Sequence, residues 1–554
     1  MSQRMQGQPM IILGEDSQRM KDRDAQSHNI AAARAVAAAV RSTLGPKGMD
    51  KMLVSSMGDI TVTNDGVTIL QEMDIDNPTA EMIVEVAETQ EDEAGDGTTT
   101  AVSIAGELLK NAEDLLEQDI HPTAIIKGFS MAAEQARDEV EEITIEIDRD
   151  DEETLQKIAQ TAMTGKGAEQ FKDELSEIIV DGASAVTVEA DDGSFIVDLA
   201  FLKVETQTGR SAETSELLEG AVIGKDPAHE DMPTDFDEAD VLLVDIPLEL
   251  SEAEADTQVS VTDPSQLEDF LAQEEAELRD LVDRIADVGA DVVFCQKGID
   301  DMVQHYLAKE GILAVRRVKR SDIEFLREVI GADIVSDLKT ASADNLGSAR
   351  IERDADEELF YVEGSGDETH GVTLLLRGST EHVVDELERG VRDALDVVGS
   401  AISSGEALPG GGAPEVAVAR RLREYADSVS GREQLAVEAF ADSLEVVPRV
   451  LAENAGYDSI DTLVDLRAEH SDGNERHGIN IFTGDIEDTF EAGIVETPGA
   501  KRQALVSASE AANLVLKIDD IISAGDLSTE GEDDDPGGMG GGMGGMGGGM
   551  GGMM

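Results

Sequence analysis

The sequence predicts a multidomain protein of mixed α and α/β class, in which two mostly helical flanks enclose an α/β centre. Three observations predict it. Apolar residues recur at helical spacing from His28 to Glu142. Strand and helix patterns alternate between Val241 and Val335. Helical spacing then resumes after the apolar strand Val372 to Leu376. A chain of 554 residues has room for three or four such domains.

The elements follow in order. Met1 to Arg23 is polar. From His28 to Leu44, Ile30, Ala33, Val36, Ala37, Val40 and Leu44 form one stripe, and the helix stops at Gly45-Pro46-Lys47-Gly48. Ile60 to Thr63 reads as a strand closed by Asn64-Asp65-Gly66, a turn signal that makes Val67 to Glu72 a return strand. Helices are expected at Ala80 to Glu91, Thr98 to Glu117 and Pro122 to Glu142, then two more between Asp148 and Glu189 around Thr164-Gly165-Lys166-Gly167. Short strands follow at Ala185 to Glu189, Phe195 to Ala200 and Phe201 to Thr206. The centre reads as strand Val241 to Val244, helix Pro264 to Val288, strand Val292 to Phe294, helix Asp300 to Lys309, strand Ile312 to Val315, helix Ser321 to Val329 and strand Ile334 to Val335. Leu248 to Asp263 shows no core pattern and reads as a loop, or as a protrusion ordered against a partner. After Val372 to Leu376, helices are expected through to Ile522, ahead of an acidic run and a Gly/Met tail, Gly537 to Met554, that cannot pack a core.

Composition excludes several function classes. The 120 acidic and 43 basic residues leave a net charge of −77, which disfavours nucleic acid as a partner. Carboxylates are spread along the chain instead of clustered, as expected for adaptation to a salt-filled cytoplasm: at molar salt the Debye length falls to about 3 Å and self-repulsion is screened. The one cysteine, Cys295, excludes an intrachain disulfide and sits in an apolar run as a structural thiol. No apolar stretch is long enough for a membrane helix, and Met1-Ser2-Gln3-Arg4 does not open a signal peptide, so a soluble cytoplasmic protein is expected.

Familiar catalytic patterns are missing. Gly165-Lys166 and Gly224-Lys225 lack the Ser/Thr of a Walker loop, and neither His-Glu-x-x-His nor Gly-x-Ser-x-Gly occurs. The chemistry-bearing stretch is Gly95-Asp96-Gly97-Thr98-Thr99-Thr100, placed where a helix begins. Glycines let backbone N–H groups approach an anion, and threonine hydroxyls can donate to phosphate oxygens. Asp96 repels phosphate unless a cation lies between them, which suggests Mg²⁺ bridging Asp96 to a nucleotide. Taken alone, such a turn is more often an ordinary helix cap.

It does not stand alone. Thr43-Leu44-Gly45-Pro46-Lys47-Gly48, Thr63-Asn64-Asp65-Gly66, Glu388-Arg389-Gly390-Val391-Arg392-Asp393-Ala394-Leu395 and Ala407-Leu408-Pro409-Gly410-Gly411-Gly412-Ala413-Pro414-Glu415 occur with it. With Phe294-Cys295-Gln296-Lys297-Gly298-Ile299-Asp300-Asp301 and Leu451-Ala452-Glu453-Asn454-Ala455-Gly456, the chain resembles the group II chaperonins of the archaeal thermosome type. The likeness runs from about Gln18 to Asp526.

The resemblance implies a chaperonin architecture. An all-helical equatorial domain would come from 1–148 and 404–526, and a small intermediate domain from 149–217 and 371–403. An α/β apical domain would span 218–370 with a helical lid protrusion near 248–278, and 527–554 would be a disordered tail. It implies an ATPase that binds unfolded protein in a double ring of eight or nine subunits per ring, of one kind or mixed with paralogues, and closes a lid on hydrolysis. ATP and Mg²⁺ would be the cofactors, with K⁺ a further cation. Leu44, Gly45 and Pro46 would surround the nucleotide, Asp96 would hold Mg²⁺, and Gly97, Thr98, Thr99 and Thr100 would cradle phosphates. Asp65 and Asp393 match the catalytic carboxylates, Gly411 would pack on the nucleotide, Glu496 would meet the ribose and Asn480 the base. Lys166 falls in the family's nucleotide-sensing loop. Thr497 departs from the pattern, which usually has proline directly after the acid at 496. A nucleotide-binding ring or scaffold without folding activity, and a small-molecule phosphotransferase, are the alternatives.

The charge reading is directly testable. Transfer from about 3 M to about 0.1 M KCl is expected to lower the thermal unfolding midpoint by circular dichroism. An unchanged midpoint would mean that the carboxylates are not an adaptation to salt.

Overall fold

The computed structural model describes residues 19–55, 58, 60–165, 167–190, 193–250, 264–366 and 371–522. The chain divides into two compact units, Met1–Gln26 with Ile518–Met554, and Ser27–Lys517. In the first, strand Arg19–Lys21 pairs antiparallel with Asp520–Ile522.

The second unit carries the rest, organised around three large apolar cores. The helical core joins both ends of the sequence. Helices Pro78–Ala94, Thr98–Glu117 and Pro122–Ile143 pack against Glu433–Leu444 and Pro498–Lys517. Alanine dominates this core, so backbones approach closely: a side chain at Gly106 would meet the Ala37 Cβ at 2.5 Å, and one at Gly128 the Ala436 Cβ at 2.5 Å. Its largest buried rings, Phe129 and Phe440, meet edge to face at 5.9 Å.

The central core lies on a seven-stranded mixed sheet. Leu313–Val315, Val292–Cys295 and Phe236–Val244 run parallel, followed antiparallel by Gly347–Asp354, Leu359–Gly364 and Ala221–Ile223, while Ile334–Val335 pairs parallel with Phe236–Val244. Between these two cores, helices Lys172–Ala185 and Glu381–Ser404 cover a small sheet of Leu202–Thr208, Val372–Gly378 and Glu216–Glu219, and helix Glu152–Met163 packs on those two helices.

Several expectations need correction. Gly66–Glu72 is a helix, not a return strand, because the Asp65 side chain accepts from the Thr68 N–H at 2.8 Å and caps it; the hairpin partner of Ile60–Thr63 is Lys51–Val54. The first long helix is Asp22–Arg41, leaving Thr43 and Leu44 in the turn beyond it. A short 3₁₀ turn, Leu199–Phe201, separates strands Phe195–Val197 and Leu202–Thr208. Gly347–Asp354 and Leu359–Gly364 are strands that the sequence reading lacked. Beyond Gly378 the helices are interrupted by strands at Glu406–Pro409, His477–Ile479, Ile486–Asp488 and Val495–Glu496. Of the expected lid protrusion, 251–263 lies outside the described residues and Pro264–Val288 is helix; the Gly/Met tail also lies outside them.

A buried charge ties the helical core together. Glu107, 4% exposed at its side chain, meets Lys110 at 2.6 Å, Arg449 at 3.1 Å and Arg41 at 3.2 Å. Burial opposes its ionisation, but Lys110 and Arg449 outweigh that and hold its carboxyl below the usual range. A depressed native pKa stabilises above the unfolded value, and that contribution disappears as pH falls through the native one. Glu107→Gln is therefore expected to cost about 1–2 kcal/mol at neutral pH, discounted because all three cations are partly exposed. Denaturation at stepped pH should show the gap to wild type closing below about pH 4.

Candidate nucleotide site

The Gly-Asp-Gly turn is built by two helix ends. Helix Pro78–Ala94 stops when Gly95 turns left-handed (φ 64°), its N–H bonding to the Glu91 carbonyl. Gly97 (φ 85°) starts helix Thr98–Glu117. Side-chain-bearing residues disfavour both conformations, so the two glycines allow the reversal that displays Asp96 beside the helix N-terminus. Gln90, fully buried, fixes the turn from behind: its side-chain amide donates to the Asp96 carbonyl at 2.7 Å and the Ala500 carbonyl at 3.1 Å.

Four other segments meet this turn around one cavity. Gly66 comes so close that a side chain there would meet the Thr99 hydroxyl at 2.5 Å and the Thr98 hydroxyl at 3.1 Å. Asp393, 7% exposed, lies on helix Glu381–Ser404, and one turn earlier Arg389 donates to the Thr63 hydroxyl at 3.0 Å. That same hydroxyl accepts from the Asp65 N–H at 3.1 Å, so Arg389 couples the two carboxylate-bearing segments. Strand Glu406–Pro409 leads through Gly410 and Gly411 into helix Ala413–Ala426; a side chain at Gly411 would strike the Ile479 carbonyl at 2.6 Å. Asn454 donates to the Leu44 carbonyl at 2.8 Å and anchors the Leu44-Gly45-Pro46 turn.

The result is one cavity of about 460 Å³. Leu44, Gly45, Pro46, Asp65, Asp96, Gly97, Thr98, Thr99, Thr100, Asp393, Gly411, Asn480 and Glu496 all line it. Lys166 lies outside the described residues. Its neighbour Gly165 packs on Pro46, where a side chain would meet the Cα at 2.6 Å, and Asn64 donates to the Gly165 carbonyl. Asn480 lines the cavity, but its side chain is engaged in its own loop, donating to Glu487 at 2.8 Å and accepting from the Phe482 N–H at 3.0 Å.

Some lining residues were not singled out from the sequence. Thr161 accepts from the Val495 N–H at 3.1 Å and donates to the Gly493 carbonyl at 3.3 Å, stitching helix Glu152–Met163 to the strand that bears Glu496. Lys501 bridges Glu415 at 2.6 Å and Glu496 at 2.5 Å. Phe482 lies under two ammonium groups, Lys47 at 5.0 Å and Lys172 at 5.9 Å from its ring centre. A signal existed for Gln90 and Lys501: each is a long polar residue on an apolar helical stripe, with Ile83, Val86 and Ala87, and with Leu505 and Ala508.

The volume suits a nucleotide-sized ligand. The wall carries five carboxylates, Asp65, Glu91, Asp96, Asp393 and Glu496, beside an anion-seeking helix start. A polyphosphate fits only with a cation. Among the described residues no group of three or more His, Cys, Asp or Glu could hold a metal by itself. Mg²⁺ would need only one or two of the wall carboxylates, Asp96 among them, and would complete its shell with phosphate and water.

Residues 36–526 match the model of the TCP-1/cpn60 chaperonin family. The chain belongs to that family. It is 71% identical over 544 residues to thermosome subunit 2 of Haloferax volcanii, with 98% of both chains covered. To thermosome subunit beta of Halobacterium salinarum it is 70% identical over 529 residues, 95% of each. Among solved structures it resembles the open-state monomer of a group II chaperonin from Methanococcoides burtonii, with a TM-score of 0.61 and 42% identity, covering 76% of this chain and all of that one. It is a group II chaperonin chain of haloarchaeal type, with the multidomain α and α/β architecture of that family. Among the described residues no helix is long and apolar enough to cross a membrane.

The Thr161 stitch has a measurable consequence. Thr161→Val should accelerate amide hydrogen exchange at Val495, which loses its acceptor. Exchange at Ile494, whose N–H bonds to the Thr489 carbonyl at 2.8 Å, should stay unchanged.

Proposed function

We propose that the cavity binds ATP with Mg²⁺ and hydrolyses it, and that the chain is a subunit of an ATP-dependent chaperone. The observation that carries the reading is the convergence of Asp65, Asp96 and Asp393 with the glycine turns at 45, 97 and 411 on one cavity, at the start of helix Thr98–Glu117.

Each residue has a task that its surroundings support. Backbone N–H groups from Gly97 to Thr100 point out of the helix start and bind phosphate oxygens, aided by the three threonine hydroxyls. Asp96 would hold the metal. Mg²⁺, when bound, supplies the positive charge that lets a polyphosphate share the cavity with carboxylates. Asp393, nearly buried on a long helix, orients the attacking water and takes its proton on a carboxylate oxygen. Asp65, held in place by its helix cap and indirectly by Arg389, orients the same water from the opposite segment. Leu44, Ile158, Ile479 and Val495 line the cavity with apolar surface and limit its access to bulk solvent. Gly165 packing on Pro46 supports Lys166 as the group that senses the terminal phosphate.

The division into equatorial (1–148, 404–526), intermediate (149–217, 371–403) and apical (218–370) parts is supported by the three separate cores. A ring mixed with paralogues is supported by the two thermosome subunits of Haloferax volcanii, 71% and 57% identical to this chain. Unfolded polypeptides are the proposed clients, enclosed in a double ring in the cytoplasm.

Asp393→Ala should lower steady-state ATPase activity in high KCl at least about a hundredfold while ATP affinity stays within about threefold. Undiminished turnover would remove Asp393 from the mechanism. Sixteen or eighteen copies of a 58.9 kDa chain should give a native mass of roughly a megadalton; a monomer or dimer would favour the small-molecule phosphotransferase.

A further inference from the structure

The seven-stranded and three-stranded sheets meet at a joint with little apolar surface. Among the described residues, the cluster there buries Val222, Leu359 and Leu375, with Leu218 and Tyr361 packed against them. The cores on either side are far larger. Polar groups therefore decide how the joint sits. The turn between strands Gly347–Asp354 and Leu359–Gly364 carries Glu357 to the three-stranded sheet. Its carboxylate, 5% exposed, meets the equally buried Arg377 at 3.1 Å and Arg210 at 2.5 Å. Gln207 donates to the Glu357 carbonyl at 3.2 Å and accepts from the Arg377 Nε–H at 3.1 Å. The Arg377 guanidinium also meets Glu216 at 2.8 Å and donates to the Thr214 carbonyl. The Tyr361 hydroxyl donates to Glu357 at 3.4 Å. The turn is shaped for this contact. Asp354 accepts from the Asp356 and Glu357 N–H groups at 2.8 and 3.0 Å, and Glu358 takes a left-handed φ of 58°, uncommon for a residue with a side chain.

Two roles for this buried pair compete. A static strut needs no charges, because desolvation offsets much of the attraction and apolar residues of similar volume hold as well. What the guanidinium fork adds is direction, since its planar donors accept one arrangement of partners. The place of Arg377 in the chain gives that direction a use. It is the next-to-last residue of strand Val372–Gly378, and after Ser379 and Thr380 helix Glu381–Ser404 begins. Gly378 lets the strand end press on that helix, for a side chain there would meet the Val384 Cγ2 at 2.5 Å. About 18 Å of helix then separates Glu381 from Asp393. A helix moves as one piece, so a shift of its first turn reaches the cavity wall.

We infer that Arg377 and Glu357 form a latch through which the seven-stranded sheet sets the position of helix Glu381–Ser404, which makes both positioning residues for Asp393. The latch is engaged in the same structure that gathers Asp393 with Asp65 and Asp96, so an engaged latch goes with an assembled site. Its release frees the strand end, lets the helix start shift and withdraws Asp393 from the attacking water. The phosphate-binding helix start at Thr98 belongs to another segment, so ATP is still held. A second tie at the joint lacks this route. Lys203 meets Asp322 of helix Arg320–Ile330 at 2.9 Å, but its strand, Leu202–Thr208, does not lead into helix Glu381–Ser404. The inference rests on the ATP reading of the cavity.

The test uses full-length protein in high KCl. Glu357→Gln, nearly isosteric and uncharged, should lower kcat for ATP at least about fivefold, the low end of coupling between distant sites, while ATP affinity stays within about twofold. Arg377→Lys, which keeps the charge but loses the fork, should fall as far. Asp322→Asn should lower the unfolding midpoint with kcat within about twofold of wild type. In wild type, Mg²⁺·ADP with aluminium fluoride, a mimic of the transferring phosphoryl group, should slow amide exchange at Arg377 at least about threefold relative to Mg²⁺·ADP. That N–H bonds to the Ser215 hydroxyl at 3.0 Å, and its exchange decides the matter if the variants do not fold. An unchanged kcat in Glu357→Gln, an equal loss in Asp322→Asn, or exchange at Arg377 indifferent to the fluoride complex would overturn the inference. Wild type that binds no nucleotide would instead overturn the ATP reading itself.

Discussion

The candidate site depends on the lodging of one C-terminal helix among three N-terminal ones. Pro498–Lys517 packs against Pro78–Ala94, Thr98–Glu117 and Pro122–Ile143, and its first turn reaches the cavity. The Gln90 amide, bonded to both Asp96 and Ala500, is the point where this packing becomes site geometry. Residues some four hundred positions apart then act as one wall. Small side chains make the lodging possible: Ala504, Ala508, Ala511 and Ala512 let the helix settle into the core, where larger residues would hold it off.

Charge is the second constraint. A chain with a net charge of −77 places five carboxylates around a cavity read as an anion site. The conflict is resolved locally. Lys501 neutralises part of Glu415 and Glu496, Asp65 accepts from a backbone N–H, and helix Thr98–Glu117 presents unpaired N–H groups. Glu107 shows the same strategy inside the helical core, where three cations surround one buried carboxylate. The surface excess is left to salt, while the interior is paired group by group.

Much of this was legible in the sequence, for reasons that differ by element. Helices Thr98–Glu117 and Pro264–Val288 were read with their observed bounds because long apolar periodicity is hard to mistake. Val67 to Glu72 was misread because Asn-Asp-Gly serves equally as a hairpin turn or as a helix cap; the Asp65–Thr68 bond decides it, and that bond is a property of the folded backbone. Gly347–Asp354 is masked by its four charged residues, although Ala349 and Ile351 alternate into the core; Leu359–Gly364 has no such excuse, since Leu359-Phe360-Tyr361-Val362 is a legible strand run. The glycine and aspartate turns of the cavity were visible individually, and their order pointed to the family. Thr161 and Arg389 could not be found that way. Each acts through hydrogen bonds to residues hundreds of positions away, and sequence spacing carries no trace of such contacts.

The central claim is that segments from both ends of the chain and from its middle form one ATP site. Photolabelling with 8-azido-ATP and Mg²⁺ in high KCl, followed by peptide mapping, tests it most directly. The account predicts labelling that ATP competes away, confined to peptides containing cavity residues, such as Thr43 to Pro46, Ile479 to Phe482 or Ile494 to Ala504. Competed labelling found instead on peptides that do not line the cavity would contradict it.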